Sequence, residues 1–116
     1  MHELSVAESI FRLAGEKIAS YPDKKPVQIN LQIGLLSGIE FEALDFAISS
    51  VIKNSPFENA QVIIEKIKPL ARCNECRHEF EPEDYITCCP ECGSFTFNFL
   101  KGKELLIRSI ELEDQD

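Results

Sequence analysis

Cys73-Asn74-Glu75-Cys76, then twelve residues, then Cys89-Pro90-Glu91-Cys92-Gly93: this stretch decides how the rest of the chain is read. A Cys-x-x-Cys pair turns back on itself and places two thiolates near one point. Two such knuckles facing each other set four sulfurs at the corners of a tetrahedron, the geometry Zn²⁺ accepts. The segment between them, from His78 through Glu79, Glu81, Pro82, Glu83 and Asp84 to Tyr85, is polar and acidic and has little apolar surface to bury. A piece this small needs a staple, and a metal ion supplies one. The competing staple, two disulfides, requires an oxidising compartment, and nothing in the chain points to export.

Working outward, both flanks read as strands. Residues 61–68 carry Val62 and Ile64 on one face and Ile63 and Ile67 on the other, and Pro69 marks the exit into the cysteine segment. Beyond it, Phe95, Phe97 and Phe99 alternate as in a short strand of the ribbon's own hairpin. Lys101-Gly102-Lys103 reads as a turn, and residues 104–112 as a last strand with Leu106, Ile110 and Leu112 on a common face. The cysteine segment is therefore an insertion between two strands.

Further upstream, Leu4, Ala7, Ile10, Phe11, Ala14 and Ile18 recur at three- and four-residue steps, which predicts an amphipathic helix over 4–20 with these positions in the core. Ser5 with Glu8 matches a capping box, which allows a start as late as Val6, and Tyr21-Pro22-Asp23 ends the helix. Val27, Ile29, Leu31 and Ile33 alternate with Gln28, Asn30 and Gln32, a strand with one buried face. Gly34 and Gly38 punctuate a turn, and a second helix is expected over 41–53, with Phe41, Leu44, Ile48, Val51 and Ile52 inward. Ser37 with Glu40 matches its capping box, and Asn54-Ser55-Pro56 closes it. The expected fold class is α+β: two helices on a small three-stranded sheet, with an inserted zinc-ribbon domain. The expected division is 1–69 plus 103–116 for the α/β domain and 70–102 for the ribbon.

The formal net charge of −8 argues against nucleic acid as the partner, because phosphate binding relies on clustered Lys and Arg. No apolar run is long enough for a membrane span. The first residues carry Glu3 and Glu8 and no basic n-region, so no signal peptide is expected, and the cytoplasm is the default location for reduced cysteines on a metal. A catalytic set is absent: the chain has two His, no nucleophile arrangement and no Gly-rich phosphate loop, and a Cys₄ zinc site has no open position for water. The expected role is not that of an enzyme.

The other chemical feature is Met1-His2-Glu3. A free α-amine, a deprotonated backbone amide and the His2 imidazole chelate one metal from a single dipeptide. Nitrogen donors of this kind favour Ni²⁺ or Cu²⁺ in tetragonal geometry. The chelate leaves a coordination position open, which suits an ion that must be handed on. A bulky second residue is expected to leave Met1 in place.

Met1-His2-Glu3-Leu4-Ser5, Gly34-Leu35-Leu36-Ser37-Gly38-Ile39-Glu40 and the two cysteine pairs, in this order and over this length, resemble the HypA/HybF family of nickel metallochaperones for [NiFe] hydrogenase maturation. The resemblance implies a transient Ni²⁺ cargo held by Met1, His2 and Glu3, with Glu40 at an acidic position near it. It implies a structural Zn²⁺ on Cys73, Cys76, Cys89 and Cys92. It implies as partners a HypB-type GTPase and the hydrogenase large-subunit precursor, with urease maturation served by some members, and a monomer or a homodimer. His78 is a candidate to hydrogen-bond a thiolate from behind, and Cys88 reads as a spare thiol. Two other readings compete. The second knuckle is similar to that of rubredoxin, an iron electron-transfer protein, although Arg77-His78 replaces the Gly expected after the first knuckle. A zinc-ribbon adaptor that only docks another protein would make His2 incidental.

Overall fold

The computed structural model describes residues 3–115. In chain order the elements are α1 (Glu3–Ile18), β1 (Lys24–Gly34), α2 (Phe41–Val51), β2 (Gln61–Ile67), β3 (Leu70–Cys73), β4 (Glu79–Phe80), β5 (Phe97–Lys101) and β6 (Leu105–Asp114). They form two three-stranded sheets, ordered β2-β1-β6 and β4-β3-β5. The fold is α+β, with the cysteine segment inserted between β2 and β6.

Packing divides the chain into two compact units. The first holds 1–31, 39–65 and 106–116. In it α1 and α2 pack against each other, and Ile29 and Leu31, on one face of β1, are fully buried; Ile33, next on the same face and equally buried, falls in the second unit. From α1 the core takes Val6, Ala7, Ile10, Phe11 and Ala14, and from α2 Leu44, Ala47 and Ile48. The helix stripe differs from the expected one. Because α1 already begins at Glu3, Ser5 lies inside the helix and not at its cap. Leu4 then falls outside the buried arc at 52% exposure, Val6 falls inside it, and Ile18 is only half-buried. Phe57, in the turn after α2, is buried and meets Phe11 edge to face with centroids 5.3 Å apart. The turn that carries it is tied by Asn54, at φ 60°, whose N–H donates to Glu58 Oε2 at 2.6 Å.

The outer face of the same sheet is polar. Gln28 Nε2 donates to Asn30 Oδ1 (2.8 Å) and Glu111 Oε2 (2.9 Å), and Asn30 Nδ2 to Ser109 Oγ (2.9 Å). Along β6 only Ile107, Ile110 and Leu112 are half-buried, while Leu106, expected inward, is 44% exposed.

The second unit holds 32–38 and 66–105. It therefore takes in the ends of β1 and β2 as well as the ribbon, because the backbones cross there. Gly34 N–H donates to Glu104 C=O at 2.8 Å, Leu35 N–H to Ile67 C=O at 2.9 Å and Leu36 N–H to Gly102 C=O at 2.7 Å. In the ribbon, β3 lies antiparallel to both β4 and β5, with Cys73 opposite Phe97 and Leu70 opposite Lys101. Strands β3 and β4 are too short to show a period in the sequence. Phe95, expected in the last ribbon strand, lies before β5 and is 74% exposed.

Candidate metal centre

The two knuckles are the same local structure built twice. Glu75 and Cys76 direct their backbone N–H groups at Cys73 Sγ (3.3 and 3.5 Å), and Glu91 does the same to Cys89 Sγ (3.4 Å). The chain then reverses in the left-handed region, at Arg77 (φ 68°) and Gly93 (φ 75°), whose N–H groups return to Cys73 C=O and Cys89 C=O. Only the second knuckle has the residue suited to that conformation. Cys73 and Cys89 are buried, with Ala71, Phe80 and the half-buried Phe97 and Phe99 forming the small core behind them.

The four sulfurs of Cys73, Cys76, Cys89 and Cys92 all lie within 4.8 Å of one another. Cys73 Sγ is 3.5 Å from Cys92 Sγ, and Cys76 Sγ 3.6 Å from Cys89 Sγ. A disulfide needs about 2.05 Å, so these are thiols; a tetrahedral ion with metal–sulfur bonds of about 2.3 Å needs sulfurs about 3.8 Å apart. The spacing fits the second arrangement. So does the proton chemistry. The Cys73 thiol is lowered to about 6, first by the Cys76 N–H, with Glu75 N–H and the Cys92 and Cys76 sulfurs adding to it against burial. At Cys92 the Ser94 N–H favours the thiolate, yet the Cys73 sulfur, lost hydration and the Cys76 and Cys89 sulfurs together push it up to about 12. Cys76 is also raised: His78 N–H favours its thiolate, but desolvation and the Cys89 and Cys73 sulfurs outweigh it. Four thiolates at this distance cannot coexist without a cation among them, and the donor set is that of a closed, soft-ligand site.

His78 meets this cluster through its backbone. Its C=O accepts from Cys73 N–H at 2.9 Å, its N–H faces Cys76, and its ring stacks over Phe80 with centroids 6.5 Å apart. Cys88 is exposed and outside the cluster. The support on the ribbon's other side has no signal in the sequence. There Tyr85 stands edge to face on Phe99 (5.5 Å), Lys103 Nζ lies 4.4 Å above Phe99 and 5.0 Å above Tyr85, and the Tyr85 hydroxyl donates to Leu36 C=O.

The second candidate cluster lies at the start of the chain. Met1 and His2 fall outside the described residues. Glu3 and Glu40, separate in sequence, are brought together: Glu40 N–H donates to Glu3 Oε2 at 3.0 Å. Glu40 is the N-cap of α2, its carboxylate accepting from Glu42 N–H (3.2 Å) and Ala43 N–H (3.0 Å). The expected cap, Ser37, is displaced because the helix starts at Phe41, three residues too late for its hydroxyl.

The family description "Hydrogenase/urease nickel incorporation, metallochaperone, hypA" matches residues 1–112. The chain belongs to the HypA family. HypA chains are nickel metallochaperones for hydrogenase maturation. The hydrogenase maturation factor HypA of Parabacteroides distasonis is 38% identical over 115 residues, covering 99% of this chain and all of that one. That of Francisella philomiragia is 38% identical over 110 residues, covering 95% and 97%. The solution structure of the Ni metallochaperone HypA from Helicobacter pylori superposes with a TM-score of 0.70 at 25% identity, over 99% of this chain and 100% of that one. Among the described residues no helix is long and apolar enough to cross a membrane.

Proposed function

We propose that this HypA-family chain carries one Ni²⁺ at its N-terminus and delivers it to a hydrogenase large-subunit precursor, with a HypB-type GTPase as co-partner. The observation that supports this most is the Glu3–Glu40 hydrogen bond. It brings Glu3 beside the start of α2, and in this reading Met1, His2, Glu3 and Glu40 bind one ion. Two helix N-termini carry partial positive charge and repel a cation; the negative charges of Glu3 and Glu40, each accepting from a backbone N–H there, offset this. A carboxylate has about four lone-pair sites, so Glu40 can cap α2 and face a metal at once. The amine, amide and imidazole must lose protons to bind, so nickel affinity falls as pH drops, which suits release to a receiver.

In this reading the chain has no catalytic step. The nickel-binding domain is 1–69 with 103–116, and the ribbon of 70–102 holds a structural Zn²⁺ on its four cysteines, keeping its shape in the reducing cytoplasm. The same cargo serves urease maturation where a urease is present. The test is calorimetric titration of nickel into protein with an untagged N-terminus and a loaded ribbon, beside His2→Ala and a variant with residues added before Met1. One nickel per chain, lost in both variants, is expected. Equal weak binding in all three sinks the proposal and leaves a docking module. A red ribbon site in place of a colourless one would replace zinc by iron.

A further inference from the structure

Strand β6 has a neighbour on one side only, since the sheet order is β2-β1-β6. Its open side is the floor of a groove of about 760 Å³ whose other wall is the C-terminal half of α1. Residues 107–110 all line this groove. Side chains alternate between faces along a strand, so four consecutive residues share a groove only if the backbone edge is part of its wall. That wall presents Leu13 of α1 and Tyr21 in the turn after it, 46% and 54% exposed, with Lys17 also lining the groove.

The dimensions explain the groove. Two packed helices span about 18–20 Å at an interaxial distance of about 8–10 Å. Three strands about 4.8 Å apart span about 14 Å including their flanks. On these dimensions a two-helix layer is about one strand wider than a three-stranded sheet, and the groove between α1 and β6 is where that extra width is expected. Charge also distinguishes it. Glu16 pairs with Arg12 (3.7 Å) and Arg108 with Glu65 (3.9 Å), whereas Lys17 has no ion-pair partner among the described residues. A second copy is the less favoured occupant. Two-fold pairing of β6 with β6 would bring both copies of α1 over the same pair of strands.

We infer that this edge accepts a fourth strand from another protein: an extended segment with alternate apolar side chains under Leu13 and Tyr21 and an acidic residue facing Lys17. Main-chain hydrogen bonds to β6 supply affinity, and the α1 wall supplies selectivity. The site is independent of both metals.

The probe is an acetylated, amidated peptide as long as β6, with valine alternating with threonine and aspartate. One peptide per chain is expected to bind with micromolar affinity. It should slow amide exchange of residues 107–112 at least about tenfold, while β2, the other edge of the same sheet, stays unchanged. Leu13→Glu and Lys17→Glu are surface changes that leave the fold intact, and each should weaken binding at least about tenfold. A peptide with lysine for aspartate should reverse the preference of Lys17→Glu. The inference is overturned by absence of saturable binding at millimolar peptide, by protection appearing at β2, or by affinity indifferent to both variants. It is equally overturned by a wild-type dimer in sedimentation equilibrium that Leu13→Glu dissociates, which would make a second copy the occupant.

Discussion

Replacing Gly34 with alanine is expected to be among the most damaging single changes in this chain, although it adds one methyl group. The new Cβ would stand 2.0 Å from the carbonyl oxygen of Gly102, 2.1 Å from its carbon and 2.5 Å from Lys103 N. All three are backbone atoms and cannot swing aside. Relief to an ordinary contact of 3.4 Å requires the two segments to part by about 1.4 Å. The hydrogen bonds that straddle this point, Gly34 N–H to Glu104 C=O at 2.8 Å and Leu36 N–H to Gly102 C=O at 2.7 Å, would then exceed about 4 Å and cease to be bonds. Each loss costs about 1–3 kcal/mol where the freed groups are not rehydrated, so Gly34→Ala should cost about 4 kcal/mol, against a total stability of order 5–15 kcal/mol. Urea denaturation followed by far-UV circular dichroism, with the ribbon loaded, measures this directly. At a slope of about 1.5 kcal/mol per molar, the midpoint should fall by about 2–3 M. Gly15 is the control. It sits inside α1, and a methyl group added there would meet nothing within 4 Å, so Gly15→Ala should gain up to about 1 kcal/mol of helix propensity. A Gly34→Ala cost below about 1 kcal/mol would refute the backbone-crossing argument.

Three further outcomes are expected. Arg77→Gly should stabilise the ribbon by about 0.5–1 kcal/mol, since it removes a left-handed strain of about 1–2 kcal/mol at φ 68° and gives back part of it in chain entropy; a lower thermal midpoint of the loaded ribbon would contradict this. In metal-free protein, thiolate absorbance at 240 nm should rise in separated waves, the first near pH 6 from Cys73 and the last near pH 12 from Cys92. The signs follow from linkage: the depressed Cys73 contributes stability above pH 9 that is lost as pH falls through about 6, and the raised Cys92 contributes stability below pH 9 that is lost as pH rises through about 12. A single wave near pH 9 would mean that the sulfurs do not sense one another. Glu40→Gln should keep part of the α2 cap and cost no more than about 1 kcal/mol, yet weaken nickel binding at least about tenfold in calorimetry; unchanged nickel affinity would leave Glu40 as a cap alone.

The parts of this fold that are readable from the chain are those encoded locally. The spacing of Cys73, Cys76, Cys89 and Cys92 announces a cluster, because a knuckle is a four-residue event, and the structure gathers all four sulfurs. The alternation of Ile29, Leu31 and Ile33 announces a strand buried on one face. What escapes depends on partners distant in sequence. Strands β3 and β4 exist only because Ala71 finds Phe80 and Phe99. Phe57 sits in a turn and is buried because Phe11 reaches it. The pattern misplaces the cap of α2 at Ser37 because a capping box gives two start points three residues apart, and only the contact with Glu3 shows which one the backbone takes. The open side of β6 has no local signature, since edge position is a property of sheet order.

The pairing of Leu70 with Lys101 in the ribbon has a consequence for how the larger sheet closes. Strand β6 must find β1 across long stretches of chain, Asn30 to Ser109 and Lys24 to Asp114 among them. With the ribbon unfolded, the link from β2 to β6 is the whole of 68–104. With it folded, that link shrinks to the few residues on either side of the Leu70–Lys101 pair. Shortening a loop roughly sixfold lowers its closure entropy by about 1.6 kcal/mol. The ribbon thus works as a clip in the connection, and loss of its four-sulfur site should slow the docking of β6 onto β1.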